Sequence, residues 1–412
     1  MRGQLELTPT YAVQLDGKIL ANAHAVGHNG DGVTELLFGS LTGKVSVWKV
    51  VAGRLVQWRS CEVDGSVTSI CLDYSVAESP RVIVATAEGT CTVFCSVQGA
   101  EELQLCFGFT VALNICDIVH VNDELIVATR DGRVLVYQQD HADLDKYTQI
   151  AQMEIDDEVE KLIVVQPKLS SSNASTQLLV RCFSGRVFCL IGPSTSETTN
   201  KREIVPWSGP PATDDSITFV VTDIEMNEAR DMVALVSVSG LVSLYSSSGE
   251  KQWDYQLPEA VVNADKLEMT ARGGGRQDAV VVCTWSGQLF AIQSEQKLVR
   301  FRMPLPSCSM FCVDMCELPA QVDPTIVGIS TSGTVFVYRD VQDTLIRGLQ
   351  DLTLADVIKQ STVYAQLDSV EKRKNVMKKL CTAFPQCVVS AESAMPSVAD
   401  LIKAMLAVPV QP

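Results

Sequence analysis

The sequence predicts an all-β protein, a seven-bladed β-propeller, from two observations. A fourteen-residue pattern occurs seven times without a gap, at residues 35–48, 81–94, 124–137, 177–190, 232–245, 279–292 and 325–338. Each window has glycine at its ninth position: Gly43, Gly89, Gly132, Gly185, Gly240, Gly287 and Gly333. Successive glycines are 43 to 55 residues apart, which suits one four-stranded blade and is too long for leucine-rich or ankyrin repeats.

Each window predicts two strands joined by a tight turn. An apolar run of about five residues is followed by two or three polar residues that end in the glycine, and then by alternating apolar and polar residues. A short hairpin usually needs a positive φ at one position, which glycine adopts at little cost. No helical periodicity separates the windows, which argues against a βαβ architecture.

The remaining strands of each blade lie on either side of the windows. Apolar stretches suited to inner strands precede them, for example at residues 66–72, 114–121 and 308–315. Candidate outer strands follow the first six windows, for example at residues 55–61, 252–257 and 297–303.

The seventh window has no outer strand after it, because the chain becomes helical in character beyond Tyr338. The missing strand is predicted at residues 8–15. Its pairing with the last blade would close the ring and remove two exposed strand edges.

Composition indicates one large intracellular domain followed by an extension. The chain has 412 residues, is 46% hydrophobic and carries a formal charge of −16. The propeller is predicted to occupy residues 1–340 and a helical extension residues 341–412. The acidic balance disfavours nucleic acid and bare anionic membranes as partners, since phosphate binding needs clustered Lys and Arg. No membrane span or secretory signal is recognisable, so we expect an intracellular protein.

The residue types that usually carry catalysis form no recognisable motif. The four histidines, His24, His28, His120 and His141, fit no nucleophile, metalloprotease or nucleotide motif, so no catalytic residue and no cofactor is predicted. The fourteen cysteines lie mostly at apolar strand positions, which is typical of free, buried thiols in a reducing compartment. Cys308, Cys312 and Cys316 recur every four residues but lack the spacing of a zinc site.

Two segments have the spacing of calcium loops and lack part of the ligand set. Residues 27–35 place Gly27, Asn29, Asp31 and Glu35 at ligand positions, and Gly27 offers no carboxylate. Asp223, Glu225, Asn227 and Asp231 repeat the spacing without the glycine of the sharp turn. Both are interpreted as degenerate turns, and no metal ligand is predicted.

The extension is predicted to contain helices at residues 354–365, 369–383 and 397–406. The third has an apolar stripe with helical spacing, formed by Val398, Leu401, Ile402, Met405 and Leu406. A lone ten-residue helix is unstable in water, so the stripe either packs on its own propeller or binds a partner. The second helix carries the densest basic cluster, which is either a solvated face or a contact with an acidic partner or membrane surface.

The first and sixth repeats resemble a known family. Residues 34–48, TELLFGSLTGKVSVW, resemble an FG-GAP repeat. Residues 280–292 together with 297–302 carry a more specific resemblance. Together they are similar to the integrin alpha FG-GAP repeat-containing protein 2 family. The resemblance implies a non-catalytic scaffold subunit of the KICSTOR complex that pairs with kaptin and assembles with a large seizure-threshold scaffold. It also implies a complex that holds GATOR1 at the lysosomal membrane and restrains TOR complex 1 when amino acids or glucose are scarce.

Three rival classes are distinguishable. An extracellular adhesion propeller would need a signal peptide and intact calcium loops. A quinoprotein-like enzyme would need an export signal and cofactor-binding residues, although Trp58 and Trp253 lie where blade-docking tryptophans would. A generic intracellular adaptor, such as a substrate receptor of a ubiquitin ligase, is the alternative that the sequence leaves open.

Overall fold

A computed structural model gives the fold. It describes residues 2–345 except for 5–6, 29–31, 76–79, 98, 122, 141–142, 144–145, 166–176, 193–201, 211–217, 227–228, 271–274, 295–297, 318–322 and 343. Within these ranges, no helix has the length and apolar character needed to span a bilayer.

The described chain forms twenty-nine strands. The first fourteen are β1 Arg2–Gln4, β2 Tyr11–Gln14, β3 His24–His28, β4 Thr34–Gly39, β5 Lys44–Val51, β6 Arg54–Glu62, β7 Val67–Asp73, β8 Arg81–Thr86, β9 Thr90–Cys95, β10 Gln104–Thr110, β11 Ile115–Val121, β12 Glu124–Thr129, β13 Arg133–Gln139 and β14 Tyr147–Glu154. The others are β15 Val159–Val165, β16 Gln177–Cys182, β17 Val187–Ile191, β18 Glu203–Pro206, β19 Thr218–Met226, β20 Ala229–Ser237, β21 Leu241–Tyr245, β22 Lys251–Gln256, β23 Val261–Leu267, β24 Ala279–Thr284, β25 Gln288–Ile292, β26 Leu298–Arg302, β27 Ser307–Asp314, β28 Pro324–Ser330 and β29 Thr334–Tyr338.

These strands build seven antiparallel blades, as the sequence predicts. Blades one to five are β3–β6, β7–β10, β11–β14, β15–β18 and β19–β22, each with its first strand innermost. Blade six contains β23–β26, and blade seven has the order β2-β29-β28-β27. The chain is therefore a seven-bladed β-propeller.

The ring is closed by the N-terminal strand, which confirms the prediction for residues 8–15. Strand β2 is the outer strand of blade seven, with Tyr11 opposite Val337 and Gln14 opposite Thr334. Beyond the strand, the Leu15 N–H donates to the Gly333 carbonyl at 3.0 Å. Strand β2, near the start of the chain, and β29, the last strand of the propeller, thus share one sheet.

The chain's first strand adds a contact that the sequence did not predict. Strand β1 pairs in parallel with β26, Arg2 lying opposite Leu298 and Gln4 opposite Arg300. Blade six therefore has five strands, and residues 2–4 cover its outer edge. The N-terminal segment contacts two successive blades.

All seven repeat glycines have a positive φ, between 81° and 99°. At Gly132 an added Cβ would lie 2.2 Å from the Ile155 carbonyl oxygen, far inside van der Waals contact. Any other residue at this turn would therefore be strained and would push away the link to the next blade.

The core lies between neighbouring blades and extends past the predicted end of the propeller. Val341 and Leu345 are fully buried and pack with Phe301, Phe336 and Tyr338 of blades six and seven. The chain beyond Tyr338 is thereby anchored to the ring. Residues 346–412 lie outside the described residues, so the helical extension at residues 341–412 stays a prediction.

Candidate protein-interaction surface

The central channel is lined by the inner strands, and two buried carboxylates on them link neighbouring blades. Asp117 accepts hydrogen bonds from the Ser69 hydroxyl at 2.7 Å and from the Leu162 N–H at 2.8 Å, which joins blades two, three and four. Asp265 accepts from the Cys312 N–H at 2.7 Å and so joins blades six and seven. Burial raises the pKa of both carboxyls above the ordinary value. Both carboxyl groups thus link neighbouring blades through hydrogen bonds.

The link that leads into blade one reaches over one end of this channel. The Asn22 amide donates to the Cys116 carbonyl at 3.2 Å and to the Glu160 carbonyl at 2.9 Å. Those carbonyls belong to β11 and β15 of blades three and four, whereas Asn22 precedes β3 of blade one. The side chain thus connects opposite parts of the ring where the inner strands begin.

Two of the histidines are packed residues with lowered pKa values. Burial, aided by the Lys161 charge, lowers the pKa of His24 to about 3, and its ring stacks on Phe311 with centroids 4.3 Å apart. Burial also lowers the pKa of His120, whose Nδ1 lies 3.6 Å from the Asp73 carboxylate. Both imidazoles are therefore neutral near pH 7 and contribute to packing. His141 lies outside the described residues.

The first candidate calcium segment is part of a β-hairpin. Gly27 of β3 and Glu35 of β4 are directly opposite one another in the ladder, so their backbones are engaged in sheet pairing. Asn29 and Asp31 lie outside the described residues. Gly27 and Glu35 thus flank the connection between two strands, and Gly27 offers no carboxylate to a cation.

In the second candidate segment, the carboxylates form ion pairs with basic side chains. The Lys266 ammonium lies 3.0 Å from the Asp223 carboxylate, and the Arg276 guanidinium lies 3.7 Å from it. Arg276 also lies 3.9 Å from Glu225. In the part of the chain that the structure describes, no group of three or more His, Cys, Asp or Glu side chains is arranged to hold a metal ion. These carboxylates form an ion-pair network between blades five and six.

We expect chelation to leave the stability of the propeller unchanged. Lys266 and Arg276 already balance the charge of Asp223, and Gly27 lacks a ligand group, so neither segment gains from a divalent cation. Thermal unfolding with and without excess EDTA measures this, with added calcium as the control. A melting temperature that falls in EDTA and recovers with calcium would contradict the expectation.

The three cysteines of the 308–316 segment have different surroundings. The Cys308 Sγ lies 3.3 Å from the Ser330 carbonyl, and the Cys312 Sγ lies 4.0 Å from the Met310 Sδ. Cys316 follows the end of β27, and its Sγ lies 3.9 Å from the Asp314 carbonyl. Burial raises the pKa of Cys308 to about 11 and that of Cys312 well above the ordinary range. Cys308 and Cys312 are thus protonated thiols of the core.

One end of the ring carries apolar side chains at equivalent positions of several blades, and two of them are exposed. This end, the glycine-turn face, consists of the seven glycine turns and the links between successive blades. The residue two places before each repeat glycine forms what we name the turn ring: Leu41, Ala87, Arg130, Phe183, Val238, Trp285 and Thr331. Tight turns favour small and polar residues at such positions. Leu41 and Trp285 are nevertheless 38% and 57% exposed.

The links between blades add further apolar surface to the same face. Leu20, Leu113 and Leu305 are all exposed, and each lies just before an inner strand. Leu20 also neighbours Asn22, the residue that reaches over the channel. The glycine-turn face therefore presents large apolar side chains on the turns and on the links beside the channel.

Hydrogen bonds fix the backbone of the turn ring. The N–H groups of Leu41, Phe183 and Trp285 donate to carbonyls of the preceding link at 2.9, 2.8 and 3.2 Å. The guanidinium of Arg130 lies 4.7 Å from the centroid of the Phe183 ring. These residues thus sit on a rigid frame, which lowers the entropic cost of binding through them.

The residues predicted from the sequence to contact a partner are all in the extension. Val398, Leu401, Ile402, Met405 and Leu406 all lie outside the described residues. The turn ring was missed, although its signal is present in the windows, where Leu41, Phe183, Val238 and Trp285 stand at a position expected to be polar.

Comparisons with known proteins agree with the fold and with the resemblance. Residues 210–343 match the family model of integrin-alpha FG-GAP repeat-containing protein 2. Among solved structures, the WD40 beta propeller domain of Doa1 superposes with a TM-score of 0.53 at 12% identity, covering 82% of this chain and 98% of that one. At this identity the structural likeness shows the fold alone.

Two curated relatives are named KICSTOR complex protein ITFG2. The mouse protein is 21% identical over 379 residues, covering 80% of this chain and 84% of the relative. The bovine match is 25% identical over 118 residues and covers 28% of this chain and 21% of that relative. The resemblance expected from the sequence is thereby confirmed, and the chain is similar to the integrin-alpha FG-GAP repeat-containing protein 2 family.

Proposed function

We propose that this protein is a non-catalytic scaffold subunit of a KICSTOR-like complex. The observation that carries the proposal is the match of residues 210–343 to the family model, supported by relatives named as KICSTOR complex proteins. The structure adds support of a general kind, because a rigid propeller with exposed apolar side chains on one face is suited to binding other proteins.

In this role the protein pairs with a kaptin-like propeller protein and a large seizure-threshold scaffold. The complex holds GATOR1 at the lysosomal membrane and restrains TOR complex 1 when amino acids or glucose are scarce. The subunit itself is cytoplasmic and reaches the membrane through its partners. It performs no chemistry, and its contribution is to bring other proteins together.

Affinity purification of the tagged full-length protein, followed by mass spectrometry, tests the proposal. Recovery of a kaptin-like protein and the large scaffold, with GATOR1 subunits in lower yield, is the expected result. Recovery of a cullin-based ubiquitin ligase in their place would overturn the proposal in favour of a substrate receptor.

The extension is part of this proposal, with the stripe of Val398, Leu401, Ile402, Met405 and Leu406 as a contact with a partner. We expect the double variant Leu401→Asp, Met405→Asp to lose partner recovery. Burying an unpaired charge costs about 3 kcal/mol or more, which weakens binding roughly 100-fold. Quantitative co-purification of the kaptin-like protein measures the effect.

The matched control is Lys403→Asp with Ala404→Asp, which places two carboxylates outside the stripe. The melting temperature of both double variants must be compared with that of the native protein. Full recovery with the stripe variant would reject the contact. Lost recovery together with a lowered melting temperature would show that the stripe packs on its own propeller.

A further inference from the structure

We infer that the glycine-turn face is the docking surface for a partner segment that presents apolar side chains flanked by lysine or arginine. This inference rests on the proposed scaffold function and adds the location and chemistry of one contact. The apolar half of the inference comes from the turn ring. Trp285 and Leu41 expose large apolar side chains on hydrogen-bonded turns, where the fold does not require them.

The basic half of the inference comes from the carboxylates beside the turn ring, most of all those beside the half-buried Phe183. The Phe183 N–H donates a hydrogen bond to the link between blades three and four. This link contains three consecutive carboxylates, Asp156, Asp157 and Glu158. Asp157 pairs with Arg186 on the same face. Asp156 and Glu158 are exposed and form no ion pair with any described residue.

The two turns with exposed apolar side chains also lie beside a carboxylate each. The Trp285 N–H donates to the link that contains Glu259, a carboxylate that, among the described residues, accepts hydrogen bonds only from neutral side chains of the same turn. The Leu41 N–H donates to the link that contains Asp16, which pairs with Lys44. Described carboxylates on the turns and links of this face are Asp16, Asp64, Glu88, Asp131, Asp156, Asp157, Glu158 and Glu259, against the basic residues Lys18, Lys44, Arg130, Arg133 and Arg186. Lys44 pairs with Asp16 and Arg133 pairs with Asp131, so the face keeps an excess of carboxylates. An apolar anchor with flanking cations complements such a surface, because the apolar contact supplies affinity and the charges supply orientation.

Two other occupants fit the surface less well. A second copy of this chain, docked by the same face, would bring the carboxylates of both copies together. An anionic membrane would meet the same repulsion. A basic, apolar segment of another protein satisfies both features of the face.

Binding of synthetic peptides to the full-length protein tests the inference. The probe is a fluorescent dodecapeptide with a Leu-Trp-Leu centre and Lys/Arg flanks, measured by fluorescence anisotropy. Two matched peptides replace the flanks by Glu or the centre by Ser. We expect the basic, apolar peptide to bind at least about tenfold more tightly than either matched peptide, and its affinity to fall as salt is raised. Equal binding of the three peptides would overturn the inference.

Matched variants locate the binding. Trp285→Ser is expected to weaken peptide binding at least about tenfold. Trp58→Ser, at an exposed tryptophan on the outer strand of blade one, is expected to change the peptide affinity by no more than about twofold. Asp156→Asn with Glu158→Gln is expected to reduce the salt dependence. Asp123→Asn with Glu250→Gln, on hairpins at the opposite end of the ring, is expected to leave it unchanged. Equal effects of the two serine variants would place the binding elsewhere.

Three further outcomes can be distinguished with the same proteins. If the chain's own extension occupied the face, cross-linking of lysines to carboxylates in the full chain would join residues 372–379 to Asp156 or Glu158. Mass spectrometry detects such cross-links, and finding them would overturn the inference. If Trp285→Ser retains every KICSTOR-like partner and binds the peptide as tightly as the native protein does, the proposed docking surface is wrong and the scaffold function stands. If the peptide binds through Trp285 but no such partner is recovered, the scaffold function fails.

Discussion

Deletion of residues 1–16 is expected to lower the melting temperature by roughly 5 °C or more and to promote aggregation. The deletion removes β1 and β2, the latter being the outer strand of blade seven. It also removes Leu15, which is buried in the core, and Tyr11 and Val13, which pack against it. Loss of this apolar burial costs about 3 kcal/mol or more, and the edge of β29 becomes available for pairing with other chains.

Differential scanning fluorimetry and light scattering measure the two effects. Deletion of residues 1–6 is the control, because it removes β1 and leaves the pairing of β2 with β29 intact. A smaller loss of stability is expected there, since only the outer edge of blade six is uncovered. A 1–16 deletion that melts at the native temperature would show that the closing strand contributes little.

Replacing Asp117 by leucine is expected to destabilise the protein by about 3 to 5 kcal/mol. The carboxylate accepts hydrogen bonds from Ser69 of blade two, Ile118 of its own blade and Leu162 of blade four. Leucine leaves the Ser69 hydroxyl and the Leu162 N–H buried without this acceptor, at about 1 to 3 kcal/mol each, whereas the Ile118 N–H keeps the Ser69 oxygen at 3.2 Å. Chemical unfolding followed by tryptophan fluorescence measures the loss.

Asp117→Asn separates the hydrogen bonds from the charge, because its amide retains one acceptor oxygen. We expect an intermediate stability at neutral pH. Burial raises the pKa of the Asp117 carboxyl, so the folded protein takes up this proton at a higher pH than the unfolded chain does. The stability of the native protein relative to Asp117→Asn should therefore increase as pH falls from 7 toward the ordinary carboxyl range of about 4. A difference independent of pH, or a Leu variant as stable as the native protein, would contradict this role.

The ring could be predicted from sequence because its signals are local. Alternating apolar residues around glycines such as Gly132 specify a hairpin, and the absence of a strand after Tyr338 specifies where the closing strand must come from. The hairpin signal depends only on residues close together in the chain, and the closing strand follows from the strand that the seventh blade lacks. Seven repetitions of the same local signal then determine the architecture.

The contacts of the candidate surface depend on residues that the ring brings together. Asn22 and Glu160 are 138 positions apart, and no period in the sequence relates them. The parallel pairing of β1 with β26 likewise could not be predicted from the sequence, because three residues carry too little pattern to indicate a strand. The acidic residues beside Phe183 become neighbours of that ring only when a link folds back on a turn.

Closure by β2 has a consequence for the order of events during synthesis. Gln14 and its partner Thr334 are 320 residues apart. At ribosomal rates of about 5 to 20 residues per second, β2 leaves the ribosome roughly 15 to 65 s before its partner strand exists. Throughout that interval the nascent chain has an unpaired N-terminal strand and a growing row of blades with open edges. The nascent protein is thus exposed to chaperones and to mispairing for longer than a chain whose first strand pairs with its neighbours.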